Sequence, residues 1–125
     1  MKVAELTGSA LNWAVAKCKL IQHLTSLGKT PNYEQCDSIA LSKTRLGVGY
    51  STNWALGGPI IERAKINVVH LDETLPDAMA PHVACCGANI DGIYQEYGPT
   101  PLIAAMRCYV ASKLGDEIEI PEELL

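Results

Sequence analysis

The sequence predicts an α+β fold: a small antiparallel sheet of about three strands packed against an N-terminal and a C-terminal helix. Three observations predict it. Leu11, Ala14, Val15 and Cys18 recur at i, i+3, i+4 and i+7 near the start. Ile103, Met106, Val110 and Leu114 form a second apolar stripe near the end, framed by Thr100-Pro101 and Gly115. Between them lie short β-branched segments punctuated by Gly, Pro and Asp-Gly signals.

The first helix is expected from about Thr7 to Lys19, extending toward Leu24. Thr7 is placed to cap it, Leu6 and Leu11 stand in hydrophobic-staple positions, and Gly28 to Pro31 end it. Residues 28–53 hold no sustained period and are punctuated by Gly28, Pro31, Gly47 and Gly49, so an irregular stretch is expected there. Gly57-Gly58-Pro59 reads as a turn, with glycine free to take positive φ and proline fixing the next φ. Strands are expected over Ile66 to Leu71, near His82 to Cys86, and near Ile93 to Glu96. A loop around Pro76 and Pro81 and a turn at Asn89 to Gly92 connect them. Thr100 as N-cap and Pro101 at the first helical position open the last helix, where a missing N–H costs nothing. Ile118 and Ile120 alternate with Glu117 and Glu119, which suits a short edge strand or an extended docking tail.

A chain of 125 residues suits one domain over residues 1–125, and 48% apolar against 19% charged residues is a globular balance. Aromatic residues make up 6% and Phe is absent, so aliphatic and alanine packing must supply the core. The net charge of −4 belongs to an acidic extended tail from about residue 116. Asp116, Glu117, Glu119, Glu122 and Glu123 leave 10 bases against 9 acids in the rest of the chain. That body offers no continuous basic patch for several duplex phosphates, so duplex nucleic acid is not an expected partner. No apolar run approaches the ~18 residues of a membrane span and no secretory signal opens the sequence, so a membrane is not expected either and a cytoplasmic location is. Five cysteines, at 18, 36, 85, 86 and 108, read as reduced thiols acting as small hydrophobes. His70, His82, Cys85 and Cys86 lack paired Cys-x-x-Cys spacing, so no metal and no cofactor is expected.

Arg107 is the most informative candidate. It falls at the edge of the apolar stripe of the last helix, where a guanidinium must be paired. One reading is a structural ion pair with Glu62 or Glu96; the other is a pocket for an anionic ligand, to which its planar fork is suited. Thr100 and its neighbours stand at a helix N-terminus, which favours anions as well as needing a cap. Trp54, beside Gly57-Gly58, is either core filling or a stacking platform. No nucleophile elbow, phosphate loop, His-Glu-x-x-His or Gly-x-Gly-x-x-Gly motif occurs, so no catalytic residue is assigned and a non-enzymatic role is expected.

Three blocks carry a family resemblance: Glu5-Leu6-Thr7-Gly8 with Leu11, Trp13 and Ala14-Val15-Ala16; Tyr50 to Arg63; and Tyr97 to Tyr109 running on to the end. Together they resemble the NinX-like family of bacteriophage proteins, a family without an assigned activity. The resemblance implies a phage or prophage accessory protein acting in the bacterial cytoplasm. The later two blocks are rich in turn residues and hold Trp54 and two arginines, which gives a candidate ligand-binding set of Trp54, Gly57, Gly58, Pro59, Glu62, Arg63, Gly98, Pro99, Thr100 and Arg107. The function expected is binding of a small anionic ligand such as a nucleotide, for instance to sequester a host defence signal. The alternative is a protein-interaction module for a host or phage partner, or for a second copy of itself, using the Ile118/Ile120 tail as an added strand.

Overall fold

The computed structural model describes residues 1–70, 86–90 and 94–125. Its elements, in order, are α1 (Gly8–Ser26), α2 (Tyr33–Arg45), α3 (Trp54–Ala64), β1 (Asn67–His70), β2 (Cys86–Ile90), β3 (Tyr94–Gly98) and α4 (Pro101–Leu114), with single 3-10 turns at Val3–Glu5 and Glu122–Leu124. The α+β class holds, and the strands form an antiparallel meander in the order β1-β2-β3, with Val68 opposite Ala88 and Ala88 opposite Glu96. Two helices join the two expected from the sequence.

The last helix is the hub. Thr100 Oγ1 accepts from the Ile103 N–H at 3.1 Å, and Gly115 ends the helix at φ +88°. The expected single stripe is replaced by burial nearly all round: Leu102 and every residue from Ala104 to Ala111 are buried, whereas Ile103 and Leu114 are only partly so. Small side chains explain this. Ala104, Ala105, Cys108 and Ala111 let α1, α3 and all three strands approach the faces that the larger residues leave.

Thr7 does stand at the N-cap of α1 with extended backbone, but its side chain makes no cap bond. Leu6 and Leu11 are both fully buried, as the staple requires. The helix runs on to Ser26 and closes in a Schellman motif, with Lys29 N–H bonded to Leu24 O, Gly28 N–H to Thr25 O, and Gly28 at φ +75°.

The stretch expected to be irregular contains α2. Asn32 caps it by accepting from the Gln35 N–H at 3.2 Å, and Gly47 at φ +85° ends it with the same motif. Only Cys36 and Ala40 of α2 are buried, a stripe too narrow to register as a period. Its backbone is tied to α1 by Trp13 Nε1, which donates to Asp37 O at 3.2 Å, and its side chains by Lys17 with Asp37 at 2.8 Å.

Gly57-Gly58-Pro59 is likewise not a turn but the middle of α3, capped by Asn53 through the Ala55 N–H. Packing overrides the local preference. A β-carbon at Gly57 would lie 2.5 Å from Leu102 Cδ1 and 2.6 Å from Tyr50 O, so only glycine lets α3 cross this close to α4. Lys65 then takes the left-handed position, at φ 55°, that glycine fills at the ends of α1 and α2.

β2 begins where the expected second strand ends, and Asn89 and Ile90 belong to it rather than to a turn. Leu71, the Pro76–Pro81 loop, His82, Cys85, and Asp91 to Ile93 lie outside the described residues. The tail docks on its own chain. Val3 N–H bonds Asp116 O at 2.8 Å, Ile118 N–H bonds Met1 O at 3.0 Å, and a single bridge pairs Lys2 with Glu117. Ile118, Ile120 and Leu124 pack against the core, and Arg45 grips both Glu123 oxygens, at 2.6 and 3.1 Å. The backbone at Ile118 that would extend a partner's sheet is therefore paired within the chain.

Candidate functional site

Polar residues of α1 continue where its apolar stripe stops. Lys19, Gln22, His23 and Ser26 sit at i, i+3, i+4 and i+7, so they share one face over the second half of the helix. That face looks onto the C-terminal halves of the other helices. Lys43 comes from the last turn of α2, Pro59, Arg63 and Ala64 from α3, and Tyr109, Ser112 and Lys113 from α4; Ile90 and Tyr94 close one side.

The result is a cleft in two lobes that share Lys19, Gln22 and Arg63. One lobe, of about 280 Å³, is walled by Pro59, Ile60, Ala64, Ile90, Tyr94 and Tyr109, with Ser112 and Lys113 at its edge. The other, of about 450 Å³, is lined by Leu20, His23, Ser26 and Lys43 beside the shared residues. Tyr109 donates its hydroxyl to Gln22 Oε1 at 2.7 Å, which holds the amide and leaves its N–H groups for the cleft. Lys19 lies over the Tyr50 ring, 5.3 Å from its centroid.

Four cations thus line one depression: Lys19, Lys43, Arg63 and Lys113. No carboxylate among the described residues lines either lobe, and none pairs with any of the four. The Lys19 ammonium is held below its ordinary pKa, first by burial and then by Lys43 and Arg63. Burial likewise pushes the Tyr109 phenol well above its ordinary range, with Arg63 opposing. Lys43, Arg63 and Lys113 also sit in last turns, where the helix ends are negative. Each end carries only about half an elementary charge, so four full positive charges exceed what the helix ends offset. Among the described residues, then, the four cations of the cleft have no carboxylate partner, in a chain of net charge −4.

The residues singled out from the sequence fall in separate places. Pro59 and Arg63 line the cleft. Trp54, on the first turn of α3, is 55% exposed, so it is not core filling. Gly57 serves the α3–α4 crossing, Gly58 stands next to Trp54, and Glu62 is exposed. Gly98 lies against the first turn of α4, where a β-carbon would come within 2.8 Å of Ala104 N; Pro99 and Thr100 are exposed, and the Thr100 hydroxyl is used in capping.

Arg107 is 7% exposed and lies in the core, away from Arg63. Its Nε donates to Leu6 O at 2.8 Å and its Nη1 to Tyr97 O at 2.7 Å. Neither Glu62 nor Glu96 bonds it. Glu96 is near enough to favour its charge, while burial and Asp116 raise the Glu96 carboxyl above its ordinary range. Arg107 thus ties the N-terminal segment and β3 to α4.

Lys19, Gln22, Lys43, Tyr94, Tyr109, Ser112 and Lys113 are among the cleft residues that sequence reasoning missed. The polar stripe on α1 was the available signal. Cys18, Cys36 and Cys108 are free and buried, with burial raising the Cys18 thiol to about 12 and the Cys108 thiol to about 11. Among the described residues no helix is long and apolar enough to cross a membrane.

A family model described as "Bacteriophage P22, NinX" matches residues 2–113, from the N-terminal turn to the cleft lysine at the end of α4. No curated protein matches the chain.

Proposed function

The chain belongs to the bacteriophage P22 NinX family, and from that premise we propose that it is a phage accessory protein that binds a small anionic ligand in the four-cation cleft. One observation carries this reading: Lys19, Lys43, Arg63 and Lys113 converge with no described carboxylate to balance them. Holding like charges together is unfavourable, and a bound anion relieves it. The cleft also has the concave shape and mixed polar and apolar walls of small-molecule sites. Binding rather than catalysis is the role proposed. Burial favours the protonated form of the Tyr109 phenol that lines the cleft, which is the reverse of an activated nucleophile.

Calorimetric titration with inorganic pyrophosphate and a panel of linear and cyclic nucleotides, at constant ionic strength, tests this. At least one probe is expected to bind, and the double variant Lys19→Gln/Arg63→Gln to weaken it by more than about tenfold, the equivalent of about 1.4 kcal/mol. Folded protein that binds none of the probes at millimolar concentration would refute the reading.

A further inference from the structure

The two lobes differ in chemistry, and that difference specifies the ligand more narrowly than charge alone. The lobe between α3, α4 and the sheet is walled by Pro59, Ile60, Ala64 and Ile90 and faced by the Tyr94 and Tyr109 rings, with Lys19, Arg63 and Lys113 also lining it. Tyr94 is 40% exposed, so its ring is accessible. Such a lobe suits a flat, mostly uncharged group that stacks on an aromatic ring or lies against proline. Its polar atoms would meet the Gln22 amide, which Tyr109 holds in place, and Ser112.

Among the described residues, the second lobe is lined by one ring, the His23 imidazole, and by neither tyrosine nor proline. Lys19, Lys43 and Arg63 converge there beside Gln22, Ser26 and Leu20. Lys19 and Arg63 stand at the junction, because both belong to both lobes, whereas Lys43 belongs to the second lobe only. An anion at the junction would meet Lys19 and Arg63. A further anion, carried outward from the flat group, would meet Lys43.

Resting on the anionic-ligand reading above, we propose that the ligand is a nucleoside carrying two or more linked phosphates. Its base occupies the lobe of Tyr94 and Pro59, and its phosphates run from the Lys19–Arg63 junction to Lys43. The arginine supplies a planar fork for a phosphate at the junction, and the two lysines supply compact charges along the chain.

The experiment titrates the full chain with adenosine, AMP, inorganic pyrophosphate and the diphosphates of adenosine, guanosine, cytidine and uridine. At least one nucleoside diphosphate is expected to bind more than about tenfold tighter than pyrophosphate and than adenosine. Lys43→Gln is expected to weaken the diphosphate and pyrophosphate but leave AMP unchanged, since AMP has no second phosphate. Tyr94→Ala is expected to weaken the diphosphate and leave pyrophosphate unchanged. If pyrophosphate binds as tightly as every diphosphate, or Tyr94→Ala weakens both equally, the two-lobe assignment is overturned while the anionic reading stands. If no probe binds the folded chain, both fall.

Discussion

Replacing Arg107 by methionine separates a structural arginine from a ligand-binding one. The guanidinium makes two charge-assisted bonds to main-chain carbonyls, at 2.8 Å to Leu6 and 2.7 Å to Tyr97. Bonds to a charged group contribute about 1.5–3 kcal/mol each, so their loss costs about 3–6 kcal/mol. Methionine fills similar volume and removes the cost of keeping a cation in the core, which returns part of that loss. The net expectation is a destabilisation of about 3 kcal/mol. With an unfolding entropy of about 2.1 cal/mol/K per residue, the melting temperature of a chain this size should fall by roughly 10 °C. Arg107→Lys keeps the charge but cannot span both carbonyls, and should cost about half as much. Urea titration followed by circular dichroism, with slopes compared to confirm two-state unfolding, measures both variants. A loss below about 1 kcal/mol for Arg107→Met, together with weakened binding of the anionic probes, would show that Arg107 serves a ligand and that the core assignment is wrong.

Three further outcomes follow from geometry. Gly57→Ala should destabilise the protein by about 1–3 kcal/mol despite alanine's better helix propensity, because the added carbon meets Leu102 and the Tyr50 carbonyl; a stabilised variant in the same urea titration would contradict the close crossing. Lys65→Gly should stabilise by about 1 kcal/mol, since a side chain at φ 55° carries a steric cost that glycine lacks; a lower urea midpoint would count against a left-handed cap. Stability should fall as the pH rises above about 9. The Cys18 thiol moves from its ordinary 9.0 to about 12 on folding and Cys108 to about 11, so the folded state binds more protons than the unfolded one across that window. Urea midpoints at pH 8 and pH 10 check this, and equal midpoints would dispose of it.

The ends of the chain were the most legible parts of the fold. α1 and α4 combine a long period with recognisable stops, and the Thr100-Pro101 pair opens α4 as the sequence implies. α2 was hidden because only Cys36 and Ala40 of it are buried, with Leu41 partly so, while Tyr33 and Ile39 face outward and blur the stripe. α3 was misread because Gly-Gly-Pro prefers a turn locally, and only contact with Leu102 and Tyr50 makes the glycine at 57 a helical one. The site was less legible than the fold. Arg63 and Pro59 were identified, but Lys19, Lys43 and Lys113 lie on three different helices and carry no shared spacing. A polar stripe such as Lys19, Gln22, His23 and Ser26 has the same appearance whether it faces bulk water or a cleft; tertiary packing decides which. Arg107 was correctly marked as unusual, and both readings then looked for a charged or ligand partner. Carbonyls of Leu6 and Tyr97 meet it instead, and main-chain acceptors leave no trace in composition.

Because α4 has almost no wet face, it lacks the usual division between a side that holds the fold and a side free to vary. Lys113 is its one exposed residue, with Ser112 and Leu114 partly exposed beside it and Pro101 and Ile103 partly exposed in the first turn. Substitutions between Ala104 and Ala111 meet a neighbour in nearly every direction, and a one-residue insertion would turn every buried side chain by about 100° with nowhere to go. Adaptability in this helix is therefore confined to its two end turns, and two residues of the last one, Ser112 and Lys113, border the cleft. The architecture gives the chain a central helix buried along its middle whose last turn borders the cleft, so substitutions at Ser112 and Lys113 can reshape the cleft wall while the core stays as it is.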